Sequence, residues 1–307
     1  MCFSYQTTVI KLNTLKVSSY SIKDLERISG IKAHTIRIWE QRYNIISPNR
    51  TETNIRHYSD KDLKSILNIS ILNNSGYKIS KIAQMTKDEI TASVLEITGT
   101  NFDANIQIDN LLIAMSEMDE DRFEKFLSAN ILRNGFEKTF LEIVHPFMAK
   151  VGILWITNSI NPAQEHFISH LIRQKLIAAI DGIPYNSNSQ KGKCLLYLPE
   201  NELHEFNLLF ANLLLKKQGF KTIYLGQSVP YEDIKMVCDL HHPKYILTVI
   251  TSTFADMSIA DYLEKLCNDF PKQKVLVSGY QLLNNGLKIT SKAKVFNSPE
   301  QLISLVA

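Results

Sequence analysis

The stretch SIKDLERISGIKAHTIRIWEQRY, residues 21–43, reads as helix, tight turn, helix. The Ser21 hydroxyl is placed to cap the first helix, and Ile22, Leu25 and Ile28 fall on one helical face. Gly30 supplies the permissive backbone of a sharp turn. The second helix, AHTIRIWEQRY, follows at once. Its Ile36 turns inward, whereas His34, Arg37 and Gln41 project outward as the donors and acceptors that reading a major groove requires. An indole on so short a helix belongs more often to a core than to a surface, which places Trp39 inside. The next segment, NIISPNRTETNIRHYSD at 44–60, breaks at Pro48 into short β-favouring pieces and reads as a hairpin wing, made basic by Arg50, Arg56 and His57. Ser59 then caps a helix through DKDLKSILNISILNN with Leu63, Ile66, Leu67 and Ile71 inward, and a short amphipathic helix runs from about Ser80 to Met85.

Outward from this head, 307 residues suffice for two or three cored domains. Residues 1–90 carry 14 Lys and Arg against 8 Asp and Glu, a net +6, while 91–307 carry 20 against 23, a net −3. A basic head on a mildly acidic body suits a polyanion-binding end and a sensor, since Lys and Arg supply most non-specific affinity for nucleic acid. Residues 1–19 read as a disordered arm without the pattern of a secretory signal, which leads us to expect a cytoplasmic protein. No apolar run approaches the ~20 residues of a membrane span, and no membrane partner is expected. Cys2, Cys194, Cys238 and Cys267 lack C-x-x-C spacing and read as free buried thiols.

The polar stretch 91–107, with Gly99, reads as a linker. Helical periodicity over 108–117, 119–133, 136–156 and 162–181 predicts a four-helix bundle spanning 108–184. From 193 to 307 the period changes: KCLLYLP, KTIYLG, KYILTVIT and KVLVSG are continuous apolar runs alternating with helical patterns near 205–218, 230–240 and 257–270. That alternation predicts a parallel sheet covered on both faces, closed by a short strand near KVFN and a helix at SPEQLISLV. The fold class is multidomain, α followed by α/β.

Residues 20–90 resemble the heads of the MerR family of regulators. The resemblance rests on Tyr20-Ser21-Ile22-Lys23-Asp24-Leu25, on Thr35-Ile36-Arg37-Ile38-Trp39-Glu40, and on Arg56-His57-Tyr58. It implies a winged helix-turn-helix bound to a double-stranded DNA operator, with Thr35 and Arg37 in the groove and Arg42, Arg56 and Tyr58 on the phosphates.

Two constellations in the body carry chemistry. Glu202-Leu203-His204 follows the first strand of the parallel sheet, on the edge where such sheets bind ligands. A metal-binding imidazole usually gives its other N–H to a carboxylate, a role Glu202 could fill. By spacing alone, a solvated E-x-H in a surface loop is the commoner occurrence. The second constellation is Trp155, nine residues, then Glu165-His166. A bundle followed by a parallel α/β domain with [DE]-x-H resembles the cobalamin-binding module of methionine synthase. A MerR head on such a module is similar to the CarH, CarA and LitR group, which use adenosylcobalamin as a light-sensitive ligand. The resemblance implies a Rossmann-like domain, cobalamin as cofactor with the adenosyl form foremost, His204 as the lower cobalt ligand, and Trp155, Glu165 and His166 over the upper corrin face. It also implies cofactor contacts at Glu202, Ser228-Val229-Pro230, Ser252 and Gly279, and at Asn207, which stands where the family pattern has a glycine that leaves room for the nucleotide tail. After Trp155 the light-sensing members carry a cobalt-ligating His; here the residue is Ile156, which cannot ligate a metal.

The expected function is a DNA-binding regulator, a repressor, whose oligomerisation and operator binding respond to cobalamin, working as a homodimer or homotetramer. Two other readings stand beside it. In one, the module has lost its ligand and acts through protein contacts such as an anti-repressor; in the other, the chain is a cobalamin-dependent methyltransferase subunit. No substrate-activating domain or catalytic barrel is legible, so the chain is not expected to be an enzyme.

Overall fold

The computed structural model describes residues 19–51, 54–100, 103–184, 191–254, 257–283 and 292–307. The expected arm therefore lies outside the described residues apart from Ser19. The chain divides into two compact units, Met1–Ile172 and Arg173–Ala307.

The first unit begins with α1 (Ile22–Ser29) and α2 (Ala33–Tyr43), separated by Gly30 at φ +73°. Strands β1 (Asn49–Arg50) and β2 (Arg56–His57) pair antiparallel as the wing. Helices α3 (Asp60–Asn74) and α4 (Ile79–Ile82) complete the head. Helices α1 and α3 start with the same device: Ser21 and Ser59 each accept from the N–H of an Asp three residues on, and that Asp accepts back from the serine N–H. Leu25, Ile36, Leu63, Ile66 and Leu67 are fully buried, and Trp39 is in the core as expected.

Where the sequence suggested a linker, the structure has a helix, α5 (Lys87–Thr100), which packs on α3 and buries Val94. Its start is a capping box that the weak periodicity concealed: Glu89 N–H donates to Thr86 Oγ1, and Glu89 accepts from the Thr86 N–H at 2.7 Å. Then follow α6 (Ala104–Glu117), α7 (Glu120–Asn134), α8 (Phe136–Thr139), a π turn (Phe140–Val144), α9 (His145–Ile156) and α10 (Pro162–Asp181), so the four expected helices are present. The π turn precedes Pro146, which lacks an N–H and crowds the carbonyl four residues back; a wider turn relieves both. The continuous helical run Phe136–Ile156 is long and apolar enough to cross a membrane by length and composition, although Glu137, Lys138, Glu142 and Lys150 interrupt it. Phe140, Ile143, Phe147, Val151 and Leu154 are nonetheless buried within the protein.

In the second unit β3 (Lys193–Pro199), α11 (Phe206–Lys217), β4 (Lys221–Val229), α12 (Tyr231–His241), β5 (Tyr245–Val249), α13 (Ile259–Asp269), β6 (Lys274–Ser278), α14 (Tyr280–Leu283), β7 (Lys294–Val295) and α15 (Pro299–Val306) alternate. All strand pairs are parallel, in the order β4-β3-β5-β6-β7. Alternate residues of the central strands serve opposite faces. Leu195, Tyr197, Ile246, Val275 and Val277 join Ile234, Leu263 and Leu266 in one cluster, and their neighbours Leu196, Leu247 and Leu276 are equally buried. Cys194 and Cys238 are buried thiols, Cys267 is half-buried, and Cys2 lies outside the described residues. Burial raises the Cys238 thiol to about 11.

Candidate functional site

In the order β4-β3-β5 the chain reverses direction of winding between β3 and β5, and loops leaving the two strands there form the crevice where open α/β sheets bind ligands. Glu202 bridges that crevice. Its side chain is buried, one oxygen accepts from the N–H groups of Thr251 and Ser252 at 2.8 and 2.7 Å, and the other accepts from the His204 N–H at 3.0 Å. That second oxygen also lies 2.6 Å from His204 Nδ1. Burial alone would raise this carboxyl, but the His204 contact and the three N–H groups outweigh it and hold it at about 2. A carboxylate against Nδ1 keeps the proton there and puts the imidazole lone pair on Nε2, on a ring that is 63% exposed.

Around this pair, Ser228 at φ +50° ties the end of β4 to the loop: its N–H donates to Glu202 O at 3.2 Å and its hydroxyl accepts from Asn201 N–H at 3.1 Å. Val229 is buried and Pro230 caps α12. Asn207 is exposed in the first turn of α11. Gly279, at φ +119°, is pressed against β5, and a Cβ there would lie 2.2 Å from Ile250 O. Its glycine is required by the fold itself. A cleft of about 390 Å³ opens on the same edge, lined by Asn201, Glu202, Tyr231, Ser252, Phe254 and Lys265 among others. Next to His204, Glu205 accepts from Tyr224 Oη at 2.7 Å and pairs with Arg173, contacts the sequence reading did not foresee.

The helical unit repeats the carboxylate–imidazole device. Glu165 lies 2.7 Å from His166 Nδ1 and accepts from Ser169 Oγ, leaving the lone pair of a 65% exposed ring on Nε2. Trp155 is 46% exposed and Ile156 80%, in contrast to the buried Trp39. An exposed indole beside an exposed isoleucine is apolar surface without a core role.

In the head, His34, Arg37, Gln41 and Arg42 are exposed on α2, and Thr35 is half-buried beside them. Arg50 is exposed on the wing, its guanidinium donating to Asn54 Oδ1 at 2.7 Å. Two expected phosphate contacts have other work in this structure. Arg56 Nε donates to both oxygens of Glu40 at 3.2 and 3.1 Å, clamping wing to recognition helix. Tyr58 is buried: its backbone pairs with Tyr20 in both directions at 2.9 Å, and burial together with Glu40 raises its hydroxyl to about 12. Glu40, the centre of this clamp, entered the sequence reading only as the last residue of the Thr35–Glu40 motif, with no role assigned.

Comparison with known proteins bears on both halves. Residues 20–89 match the MerR HTH family regulatory protein family, and residues 107–179 match the B12 binding domain. Together these matches support a MerR-family regulator with a C-terminal cobalamin-binding module. The chain is 27% identical to the HTH-type transcriptional repressor CarH of Myxococcus xanthus, over 83% of the chain and 86% of that protein. It is 24% identical to the repressor CarA of the same organism, over 92% of the chain and 95% of that protein. The monomethylamine corrinoid protein of Methanosarcina barkeri shares its fold with TM-score 0.54 at 12% identity, covering 66% of this chain and 98% of that one.

The residues of the regulator's sheet edge fit a corrin-bound cobalt on chemical grounds. An exposed imidazole held through Nδ1 by a buried carboxylate, standing at the crevice of a parallel sheet, has the arrangement that a ligating histidine needs.

Proposed function

We propose that this chain is a repressor that binds a DNA operator through Arg37, Thr35 and Arg42 and changes that binding when it takes up cobalamin. His204 would hold the cobalt through Nε2, Glu202 would orient it, and Ser228, Val229, Pro230, Ser252, Asn207 and Gly279 would shape the surrounding edge. Trp155, Glu165 and His166 would be cofactor contacts of the helical unit. When bound, cobalamin would supply a cobalt centre that an imidazole can ligate. The form proposed is adenosylcobalamin, on the resemblance to the CarH, CarA and LitR group. Ile156 cannot supply a ligand to cobalt, so light release follows a different course from members with a His there or is lost.

Heads that read a groove work in pairs on two half-sites, which supports a homodimer or homotetramer, and a DNA reader works where the chromosome lies, in the cytoplasm. The observation that carries the proposal is the buried Glu202, held by three N–H groups, with one oxygen against His204 Nδ1. Exposed Ile156 and the Asn207 substitution favour a second reading, a ligand-free module acting through a protein such as an anti-repressor.

The test is to mix purified protein in the dark with adenosyl-, methyl- and hydroxocobalamin, desalt, and record absorbance. Retained corrin bands that shift in His204→Ala support the proposal. Colourless protein in every case overturns it in favour of the second reading.

A further inference from the structure

The nine residues between Trp155 and Glu165 do more than join two helices. Helix α9 ends at Ile156, Asn158 turns at φ +55°, and Ser159 N–H closes back on Leu154 O at 2.8 Å, so Ser159 is fixed relative to Trp155. Helix α10 starts with a reciprocal box: Gln164 N–H donates to Asn161 Oδ1 at 2.9 Å, and Gln164 Oε1 accepts from Asn161 N–H at 3.2 Å. Gln164 is therefore fixed relative to its neighbours Glu165 and His166.

Both residues then reach the DNA-reading head. Ser159 is buried and its hydroxyl donates to Asp24 Oδ2 at 3.0 Å. That same oxygen accepts from the Ser21 N–H and hydroxyl at 2.8 and 2.6 Å, so Ser159 joins the capping box of α1. Gln164, also buried, spends its amide N–H donors on Asp60 Oδ1 at 3.2 Å and Ser116 O at 3.1 Å. Asp60 opens α3 and accepts at 2.7 Å from Tyr20 Oη, whose backbone pairs with Tyr58 at the base of the wing. The use of Gln164 explains its chemistry: its oxygen caps α10 while its nitrogen holds the head, and a glutamate could do only the first.

We infer that Ser159 and Gln164 are positioning residues that couple cofactor occupancy at Trp155, Glu165 and His166 to the placement of the head, through the first turns of α1 and α3. This rests on the cobalamin reading above. Each contact joins a cofactor-side anchor to a head-side helix start within one compact unit, through side chains buried away from water. A buried polar contact has one satisfied geometry, so a shift of either anchor must be followed by the head or break the bond.

The test uses the full chain and Ser159→Ala and Gln164→Glu variants. The second retains Oε1 for Asn161 and so keeps the start of α10, while replacing a donor to Asp60 by a like charge. Adenosylcobalamin uptake is read by absorbance after desalting in the dark. Amide hydrogen exchange of segments 20–29 and 58–64 is then compared with and without the cofactor. The expected result is a cofactor-dependent change in exchange in the parent chain that is lost in both variants while uptake is kept. Should Gln164→Glu fail to fold, Ser159→Ala alone carries the test. Variants that take up cofactor and still transmit the full change overturn the inference. A parent chain that takes up no cobalamin overturns the cobalamin reading, and the inference with it; uptake without any change in these segments overturns the inference alone.

Discussion

Replacing Glu202 by glutamine should uncouple the sheet edge from His204 at a cost that the structure lets us size. The carboxyl stands at about 2 against an ordinary 4.5, with its charge held by His204 and by the N–H groups of Ser252, His204 and Thr251 against the opposing effect of burial. At ~1.4 kcal/mol per pH unit, discounted for solvent at the open edge of the crevice, this difference favours the folded chain with ionised Glu202 by roughly 1–3 kcal/mol at neutral pH. Glutamine keeps one oxygen and must set its NH₂ either against the Thr251 and Ser252 donors or against His204 Nδ1. The first orientation leaves the Thr251 and Ser252 donors unsatisfied; the second takes the acceptor from the His204 N–H, donates to Nδ1 and moves the imidazole proton to Nε2. Urea titration at neutral pH, followed by far-UV dichroism, should show Glu202→Gln destabilised by roughly 1–3 kcal/mol. Because the folded value is depressed, the stability belongs to pH above 4.5 and is lost as pH falls towards 2; the gap between parent and variant should therefore be flat above 4.5 and narrow below it. A variant within ~0.5 kcal/mol of the parent at neutral pH would refute the reasoning.

Other consequences can be measured on the same material. Asp109 is raised to about 7, by burial first and by Asp103, against the lowering effect of Lys150 3.6 Å away and of Ser70. Since the folded form holds its proton more tightly, the parent should lose stability relative to Asp109→Asn as pH rises from about 4 to 7, read as diverging melting temperatures; parallel pH profiles would dismiss it. Gly279→Ala must move the backbone of Ile250, and a loss of more than ~3 kcal/mol is expected; an unchanged urea midpoint would show that β5 and β6 separate freely. Arg37→Ala should relax discrimination between a duplex selected from a random pool and random DNA by about tenfold or more, whereas Arg50→Ala should weaken both alike, as competition gel shifts would register.

Much of the fold was legible because its signals are local. The capped serines at 21 and 59, Gly30, and the switch from helical period to continuous apolar strands each mark an element by composition alone. The helix over the expected linker was hidden because its buried face is narrow; the T-x-x-E at Thr86–Glu89 was the one sign of it. The sheet-edge pair was legible as a spacing, but the N–H groups of Thr251 and Ser252 that build it come from a loop 50 residues away. The burial of Tyr58 was hidden for a similar reason: a motif names a residue, while its burial depends on Tyr20 pairing with it across the head. The contacts of Ser159 and Gln164 with Asp24 and Asp60 span more than 100 residues of chain, and no local pattern announces them.

The central claim is that cobalamin uptake and DNA binding are linked in one chain. Its most direct test is the affinity of the full chain for a duplex selected from a random pool, measured in the dark by fluorescence anisotropy with and without saturating adenosylcobalamin. Coupling energies of ordinary size predict a shift of about fivefold or more, reduced in His204→Ala. The same affinity with and without the cofactor would contradict the account.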